Sequence, residues 1–282
     1  MFKVLVASDS YKGSLSTHEV IEAVKEAAAR IGQVEVIGIP IADGGEGTLA
    51  SLLGFLKGKR ITCEVTDPLG RPITASYGLV DDTAIIEMAA ASGLTLLAED
   101  ERNPLYTTSY GFGELICDAL NRPEVKSIIV GIGGSATNDG GIGMIQALGV
   151  KALDHQQNEI PFGGAYVGKV ASFDCKSIHP RLKEVSIRVM CDVRNPLCGD
   201  RGATYVYGPQ KGATPDMLPV LDENLKRMAA VIKHELGVDV LKLPGSGAAG
   251  GVGAALYAFC QAELQSGIEL LLDLVKFDEL VQ

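Results

Sequence analysis

The first forty residues restrict the fold more than any other part of the chain. Apolar runs at 2–7 and 34–39 have the length and the branched side chains of strands, and the stretch between them has helical spacing. Ser16 and Glu19 have the Ser-x-x-Glu spacing of a capping box, which marks the start of that helix. A strand, a helix and a second strand of these lengths predict a right-handed parallel crossover. Because ligands bind beyond the carboxyl ends of strands in such sheets, we expect Lys12 at the edge of a site.

The clearest candidate for a ligand-binding loop lies between residues 127 and 148. Ile128–Val130 predicts a buried strand, 142–148 predicts a helix, and G-I-G-G-S-A-T-N-D-G-G joins them. Glycines let backbone N–H groups approach an anion, and a helix N-terminus adds partial positive charge. We therefore predict phosphate binding at this loop. The same pattern is compatible with a tight turn in which Asn138 or Asp139 caps the helix.

Composition narrows the classes of function. The 282 residues are 46% hydrophobic, which is ample for a large core, and the formal net charge is −10. Nucleic-acid-binding proteins usually carry the opposite charge, and a chain with 5% aromatic residues and no Trp is poorly suited to stacking on bases. The six Cys include no C-x-x-C pair, and no apolar run reaches the length of a membrane span. We therefore expect reduced thiols in a cytoplasmic protein that binds neither nucleic acid nor membranes.

The pattern of elements changes at residue 59. Runs of strand-forming residues at 60–66, 73–80 and 83–89 follow one another with only short turns between them. Strands this close leave no room for crossover helices, so they are expected to pair antiparallel. We place a domain boundary near residue 63.

Several polar residues have both a chemical and a structural interpretation. Asp43 follows the second strand, where a carboxylate can bind a metal ion or cap the next helix. Arg71 lies in a turn, where it can bind a carboxylate or phosphate or simply be exposed. Thr107 precedes a helix, where its hydroxyl can bind an oxyanion or serve as the N-cap. Lys12 can equally be an exposed loop lysine.

Asp192 is the best-placed candidate for a catalytic carboxylate. It directly follows the apolar run 185–191, which predicts another buried strand. Functional groups in open α/β sheets lie at that end of a strand. A second glycine-rich loop, at 244–256, opens another helix and is a second candidate for phosphate binding.

Two glycine patterns resemble dinucleotide fingerprints. Gly131, Gly133 and Ala136 fit G-x-G-x-x-A, and Asp154 follows at a distance suited to a carboxylate that binds ribose. The loop at 245–250 fits G-x-G-x-x-G, although only a marginal strand precedes it. An NAD(P)-dependent oxidoreductase that uses Gly131–Ala136 and Asp154 is therefore an alternative function.

Phosphoryl transfer accounts for more of the polar residues. It requires backbone amides and a cation against the phosphates, carboxylates for Mg²⁺, and a group that accepts or orients the hydroxyl proton. Lys12, the loop 131–141, Asp43 and Asp192 can supply these groups. The G-x-x-x-x-G-K-[ST] motif and the protein-kinase motifs H-R-D and D-F-G are absent from the sequence. The residues by themselves thus indicate a phosphate-handling α/β enzyme.

Taken together, eight ordered motifs resemble the type I glycerate kinase family: S-Y-K-G-S-L-S, P-I-A-D-G-G-E-G-T, D-P-L-G-R-P, R-N-P-L-Y-T-T-S-Y-G, G-I-G-G-S-A-T-N-D-G-G, C-D-V-R-N-P-L, G-P-Q-K-G-A and G-S-G-A-A-G-G-V-G. The resemblance implies ATP-dependent phosphorylation of D-glycerate with Mg²⁺. It also implies two α/β domains with the active site between them. We expect a Rossmann-like parallel-sheet domain (1–63 and 266–282) with a mixed-sheet α/β domain (64–265) inserted into it. Glycerate and a nucleotide are the expected partners, and a homodimer is compatible with the sequence.

The resemblance also suggests roles for single residues, which we state as hypotheses. Asp192 would act as the base, Lys12 would neutralise the moving phosphoryl group, and Asp43 with Asp192 would bind the metal ion. The glycerate carboxylate would be held by a set of polar side chains: Arg71, Thr107, Ser135 and Asn138. The nucleotide would be bound by residues of the two glycine-rich loops: Gly133, Gly134, Thr137, Asp139, Gly140, Gly247 and Gly250.

This chain is shorter than the members of the family that it resembles. They continue past the helix at which this chain ends, so the Rossmann-like domain is expected to be incomplete, with an unpaired sheet edge. An inactive, truncated kinase is therefore a further alternative.

Overall fold

A computed structural model describes residues 2–8, 11, 14–41 and 48–281. It begins with strand β1 (Phe2–Ser8), helix α1 (Thr17–Ile31) and strand β2 (Val34–Pro40). β1 and β2 pair in parallel, which confirms the predicted parallel crossover. The capping box is also present, since Ser16 Oγ accepts the Glu19 N–H at 3.3 Å and a Glu19 carboxylate oxygen accepts the Ser16 N–H at 2.7 Å.

The remaining strands form two further sheets within the described residues. The larger, here called the central sheet, has the strand order β10-β9-β6-β5-β4-β3, and β7 pairs with β8 in a separate hairpin. β3, β4 and β5 pair antiparallel, as predicted from their short turns, whereas β5, β6, β9 and β10 are parallel. The strands are β3 (Lys59–Thr66), β4 (Pro72–Val80), β5 (Thr83–Glu87), β6 (Ser127–Gly131), β7 (Lys151–Leu153), β8 (Ser172–Asp174), β9 (Ser186–Met190) and β10 (Glu263–Gln265).

Helices cover the central sheet and complete the core. The main core packs apolar side chains of the sheet, such as Ile128 and Val130, against Phe112 and other fully buried residues of the helices. A smaller core joins Ile39 of β2 and Ile85 of β5 to Leu271. The helices after α1 are α2 (Thr48–Leu56), α3 (Ala89–Ser92), α4 (Tyr110–Leu120), α5 (Ile142–Ala147), α6 (Gly164–Val167), α7 (Ala203–Tyr207), α8 (Met217–Leu236), α9 (Val252–Cys260), α10 (Gly267–Leu274) and α11 (Phe277–Leu280).

Two short apolar runs that have the composition of strands form helical turns instead. Residues 205–207 belong to helix α7, and the marginal strand at 238–243 is replaced by a 3-10 helix, Val240–Lys242. Short apolar runs have no decisive periodicity, so their conformation is set by packing, here against α8. The last two elements of the described residues are the helices α10 and α11.

Three other expectations concern the chain as a whole. β3 runs continuously from Lys59 to Thr66, so the proposed boundary near residue 63 falls within a strand, and the two-domain division stays a prediction. All six cysteines lie among the described residues and are free thiols. Within the described ranges, no helix combines the length and the apolar character needed to cross a bilayer.

Candidate active site

The carboxyl ends of four neighbouring parallel strands are aligned at one edge of the central sheet. In the strand register, Gly131 lies opposite both Glu87 and Met190, and Met190 lies opposite Gln265. The predicted phosphate loop therefore leaves β6 beside the point where the Asp192 loop leaves β9. Because adjacent strands lie about 4.8 Å apart, this register brings the two sequence-predicted features together.

The loop after β6 has an exposed tip and a buried base. Gly133 and Gly134 form the tip, and their N–H groups donate to no group in the part of the chain that the structure describes. Gly134 has φ +68°, a conformation that favours glycine. The base, Ser135–Asp139, is at most 5% exposed. The tip can thus offer backbone donors to an anion, while the base holds the loop in place.

Asp139 holds the base of the loop through four accepted hydrogen bonds. Its carboxylate accepts the N–H and the hydroxyl of Ser109, both at 2.8 Å, and the N–H groups of Gly141 and Gly143 at 3.1 and 3.2 Å. Burial raises the pKa of Asp139, whereas the four donors favour its ionised form. This geometry favours the capping interpretation, because the carboxylate is 1% exposed and its acceptor sites are used within the protein.

The other polar side chains of the base also face the protein. Asn138 Nδ2 donates to Thr204 Oγ1 at 3.0 Å, and Thr107 Oγ1 donates to the Ala136 carbonyl at 2.9 Å. Thr137 Oγ1 and Asn138 Oδ1 are buried and have no hydrogen-bond partner among the described residues. The roles in binding proposed for these side chains therefore gain no support from their exposure.

Lys211 is a buried cation beside the loop that sequence reasoning missed, as it also missed Arg194. Its ammonium Nζ donates to Ser135 Oγ at 2.8 Å and to the Thr137 carbonyl at 2.7 Å, and the residue is 1% exposed. Burial lowers the pKa of Lys211 to about 7, and the nearby Asp139 opposes that shift. The signal was available, since Lys211 is the cation of G-P-Q-K-G-A, a motif that carried the resemblance but received no role.

The second glycine loop packs against the first. Gly140 N–H donates to the Gly250 carbonyl at 3.0 Å, and a Cβ at Gly250 would collide with the backbone of Thr137 and Asn138. Gly247 N–H donates to the Asn195 carbonyl at 3.1 Å. Gly140, Gly247 and Gly250 are all buried. Close packing of backbone explains these glycines, so the geometry does not support nucleotide binding at Gly247 and Gly250.

Asp192 is exposed and caps a helix. Its Oδ1 accepts the Gly267 N–H at 2.9 Å and the Ser266 hydroxyl at 3.2 Å, at the start of α10. Its Oδ2 accepts no hydrogen bond from the described residues and is available to a ligand. Arg194, on the same loop, is also exposed and forms no ion pair with the described residues. The loop after β9 therefore carries an exposed carboxylate and an exposed cation, and it leaves the sheet beside the strand that leads into the glycine tip.

Arg71 is held by two carboxylates. Its Nε donates to Asp67, which is 2% exposed, and a terminal nitrogen donates to a Glu101 carboxylate oxygen at 2.6 Å. The side chain is about half exposed, at 48%. A substrate carboxylate would have to compete with both partners, so the geometry favours a role for Arg71 in joining the β3–β4 turn to Glu101.

The dinucleotide alternative does not fit the topology. β6 lies between β5 and β9, whereas the strand that leads to Asp154 is β7, which pairs only with β8 among the described strands. Asp154 Oδ1 instead accepts the N–H groups of Gln156 and Asn158 in its own turn, at 2.8 and 2.9 Å. A dinucleotide site needs that carboxylate on the strand beside the glycine loop, so the Gly131–Ala136 and Asp154 hypothesis is wrong.

Two of the predicted catalytic residues, Lys12 and Asp43, lie outside the described residues. Within the described ranges, no three His, Cys, Asp or Glu side chains cluster closely enough to hold a metal ion.

Comparisons with known proteins identify the family of this chain. The model of the glycerate kinase family matches residues 4–282. The chain is 50% identical over 280 residues to glycerate 2-kinase of Escherichia coli K12, covering 98% of this chain and 73% of that protein. It is 48% identical over 283 residues to glycerate kinase of Bacillus subtilis 168, with coverage of 99% and 74%.

A crystal structure of a Salmonella typhimurium LT2 protein assigned as glycerate kinase 2 superposes with a TM-score of 0.94. It is 49% identical to this chain, and the match covers 99% of this chain and 75% of that protein. The parallel strand ends, the exposed glycine tip and these relatives lead to one conclusion: the chain belongs to the glycerate kinase family, whose members are small-molecule kinases.

Proposed function

We propose that this kinase transfers the γ-phosphoryl group of ATP to the 2-hydroxyl of D-glycerate, as a type I member of its family. One structural observation supports the proposal: the loops that carry Gly133–Gly134 and Asp192 leave neighbouring parallel strands at the same edge of the central sheet. Backbone N–H groups there can bind phosphate oxygens while the carboxylate faces the accepting hydroxyl. The name of the Escherichia coli relative, glycerate 2-kinase, supports the choice of hydroxyl.

In the proposed reaction, Asp192 accepts the proton of the glycerate 2-hydroxyl. The hydroxyl oxygen forms a bond to the γ-phosphorus, and the bond between that phosphorus and the bridging β–γ oxygen breaks to release ADP. Gly133 and Gly134 hold the phosphoryl oxygens, and Arg194 offsets their charge. We propose Lys12 as a further cation on the phosphates.

The residues at this edge are compatible with Mg²⁺. Magnesium sites commonly use one or two carboxylates, and substrate phosphates and water complete the shell. We propose Asp43 as the direct ligand of such an ion, whereas Asp192, whose exposed Oδ2 is the proposed proton acceptor, would contact the ion only through water. When bound, the ion would neutralise charge that develops on the transferred phosphate.

The test is a coupled assay of ADP release with D-glycerate and L-glycerate, followed by ³¹P NMR of the product. We expect ADP release with D-glycerate and a 2-phosphoglycerate signal. A 3-phosphoglycerate signal would overturn the choice of hydroxyl, and no ADP release with either enantiomer would overturn the activity. Mg²⁺ removal by chelation should abolish ADP release, and adding it back should restore the rate.

Arg194 allows a sharper test of the site. Arg194→Ala should raise KM for ATP or lower kcat about tenfold or more, because a charge-assisted hydrogen bond to phosphate is lost. Arg227→Ala on α8 is the control, since Arg227 is 63% exposed and pairs with Glu223. Equal kcat and KM values for the two variants would show that Arg194 does not act on the phosphates.

We also propose a cytoplasmic location, supported by the six free thiols. Protein purified from cells under alkylating conditions should carry six adducts by intact mass, and a mass that indicates disulfides would contradict the location. Sedimentation velocity would decide whether a homodimer forms.

A further inference from the structure

Lys211 is the least expected buried residue of the site. Lysine is almost never fully buried unless it is paired, because removing an ammonium group from water costs several kcal/mol. Here the residue is 1% exposed and forms no ion pair with any described carboxylate within 4 Å. Its two hydrogen bonds go to an uncharged hydroxyl and a carbonyl. Because burying this lysine costs free energy, we expect it to act on the residues that it contacts.

What Lys211 touches is the segment directly behind the exposed tip. Ser135 and Thr137, its two acceptors, lie one and three residues after Gly134. A backbone hydrogen bond also fixes this segment, since Ala136 N–H donates to the Ser92 carbonyl at 2.9 Å. The Gly134 carbonyl accepts the Leu94 N–H, also at 2.9 Å. The turn is thus held by Ser92 at the end of α3, by the nearby Leu94 and by the Lys211 ammonium.

We propose that Lys211 is a positioning residue of the kinase: its ammonium group holds the turn after β6 in the conformation that presents the Gly133 and Gly134 N–H groups to the transferred phosphate. The inference rests on the proposed phosphate role of that tip. It extends the proposal, because Lys211 does not reach the substrate and acts through Ser135 and Thr137. A displacement of catalytic groups by about 1 Å can lower a rate 10²-fold, so a residue behind the tip can control turnover.

The charged groups around Lys211 couple its proton to phosphate binding. Asp139 is the described group whose charge acts on the ammonium, and Arg102 packs its backbone against the neighbouring Gly212. Asp139 forms no ion pair with Lys211 within 4 Å, so it offsets only part of the effect of burial on the Lys211 ammonium. A phosphate at the tip adds negative charge nearby and favours the ammonium form. Phosphate binding above neutral pH should therefore be accompanied by proton uptake at Lys211.

The experiment compares wild type, Lys211→Met and the control Lys226→Met. Methionine has nearly the length of lysine but donates no hydrogen bond, and Lys226 is 64% exposed with a long contact to Glu223. We expect kcat of Lys211→Met to fall about 10²-fold at pH 8, while Lys226→Met matches wild type. Lys211→Arg keeps the charge and should recover part of kcat.

Calorimetry adds a readout that a purely structural lysine would not change. MgAMPPNP is titrated into each protein at pH 8 in Tris and in HEPES, two buffers with different ionisation enthalpies. Wild type and Lys226→Met should take up a fraction of a proton on binding, and Lys211→Met should take up less. The wild-type measurement stands even where Lys211→Met fails to fold.

The outcomes separate the two proposals. An inactive wild type that does not bind MgAMPPNP would overturn the proposed function. An active wild type with unchanged kcat in folded Lys211→Met would overturn the positioning role alone. The absence of proton uptake by wild type between pH 7 and 8.5 would also overturn the positioning role of Lys211.

Discussion

Asp192 Oδ1 accepts the backbone N–H of Gly267 at 2.9 Å, so the proposed catalytic carboxylate is also the cap of helix α10. The bond fixes the rotation of the carboxyl group and leaves Oδ2 directed elsewhere. The Ser266 hydroxyl donates to the same Oδ1 at 3.2 Å. One oxygen therefore serves the fold, and the other is available for chemistry.

The different roles of the two Asp192 carboxylate oxygens predict the activity and the stability of Asp192→Asn. The asparagine carbonyl can still accept the Gly267 N–H, so the melting temperature should change little. Removal of the base should lower kcat by about 10²–10⁴-fold, because that is the contribution of a positioned acid–base group. Steady-state kinetics and thermal melts measure the two effects. A kcat within a few-fold of wild type would exclude Asp192 as the base.

The buried Asp139 predicts a loss of stability. In Asp139→Asn, one oxygen becomes an NH₂ group that must face a backbone N–H donor, which should cost about 1–3 kcal/mol of unfolding free energy. Asp154→Asn is the matched control, since the Asp154 oxygen that accepts both backbone N–H groups is kept in asparagine. Urea denaturation of both variants measures the difference. Equal midpoints would show that the Asp139 network adds no stability.

The contact between the two glycine loops predicts that alanine substitutions at two glycines of similar conformation will differ in their cost to stability. Gly250 has φ +70° and no room for a Cβ, whereas Gly237 has φ +72° and no atom within 4 Å of that position. Gly237→Ala should cost about 1–2 kcal/mol from backbone strain alone. Gly250→Ala should cost about 3 kcal/mol or more, because overpacking adds to that strain. Similar urea midpoints for the two variants would contradict the close packing.

Lys211 predicts how stability depends on pH. Its pKa in the folded state is lowered from the ordinary value of 10.5 to about 7, so between these values the folded state binds fewer protons than the unfolded state. The free energy of unfolding contributed by this group therefore rises with pH across that window and is lost as pH falls through it. Lys211→Met should reduce this slope relative to wild type, as measured by urea denaturation from pH 6.5 to 9.5. Identical slopes would show that Lys211 titrates normally.

Local patterns predicted most of the elements. The capping box at Ser16 and Glu19 and the apolar spacing after it defined α1, because both signals arise within a few residues. Runs without such signals were ambiguous. Residues 205–207 have the composition of a strand, yet they form α7 because packing against α8 decided their conformation.

The candidate site was predictable only in part. Asp192 and Gly133 could each be placed at the carboxyl end of a predicted buried strand, where ligands bind in parallel sheets. The burial of the loop's base could not be predicted from the sequence, because it depends on residues far away along the chain. Lys211 contacts Ser135, and Thr204 contacts Asn138, only after the chain has folded. The glycines of the second loop were assigned to a ligand because packing and anion binding both require a missing side chain.

The Gly140–Gly250 contact has a consequence for gene chimeras. Two turns that touch backbone to backbone must be compatible in shape, although they are encoded far apart. A crossover with a homologous gene placed anywhere between codons 141 and 245 would pair one parent's first turn with the other parent's second. Recombination sites before codon 131 or after codon 256 keep both turns from one parent and are the better choice for shuffled libraries.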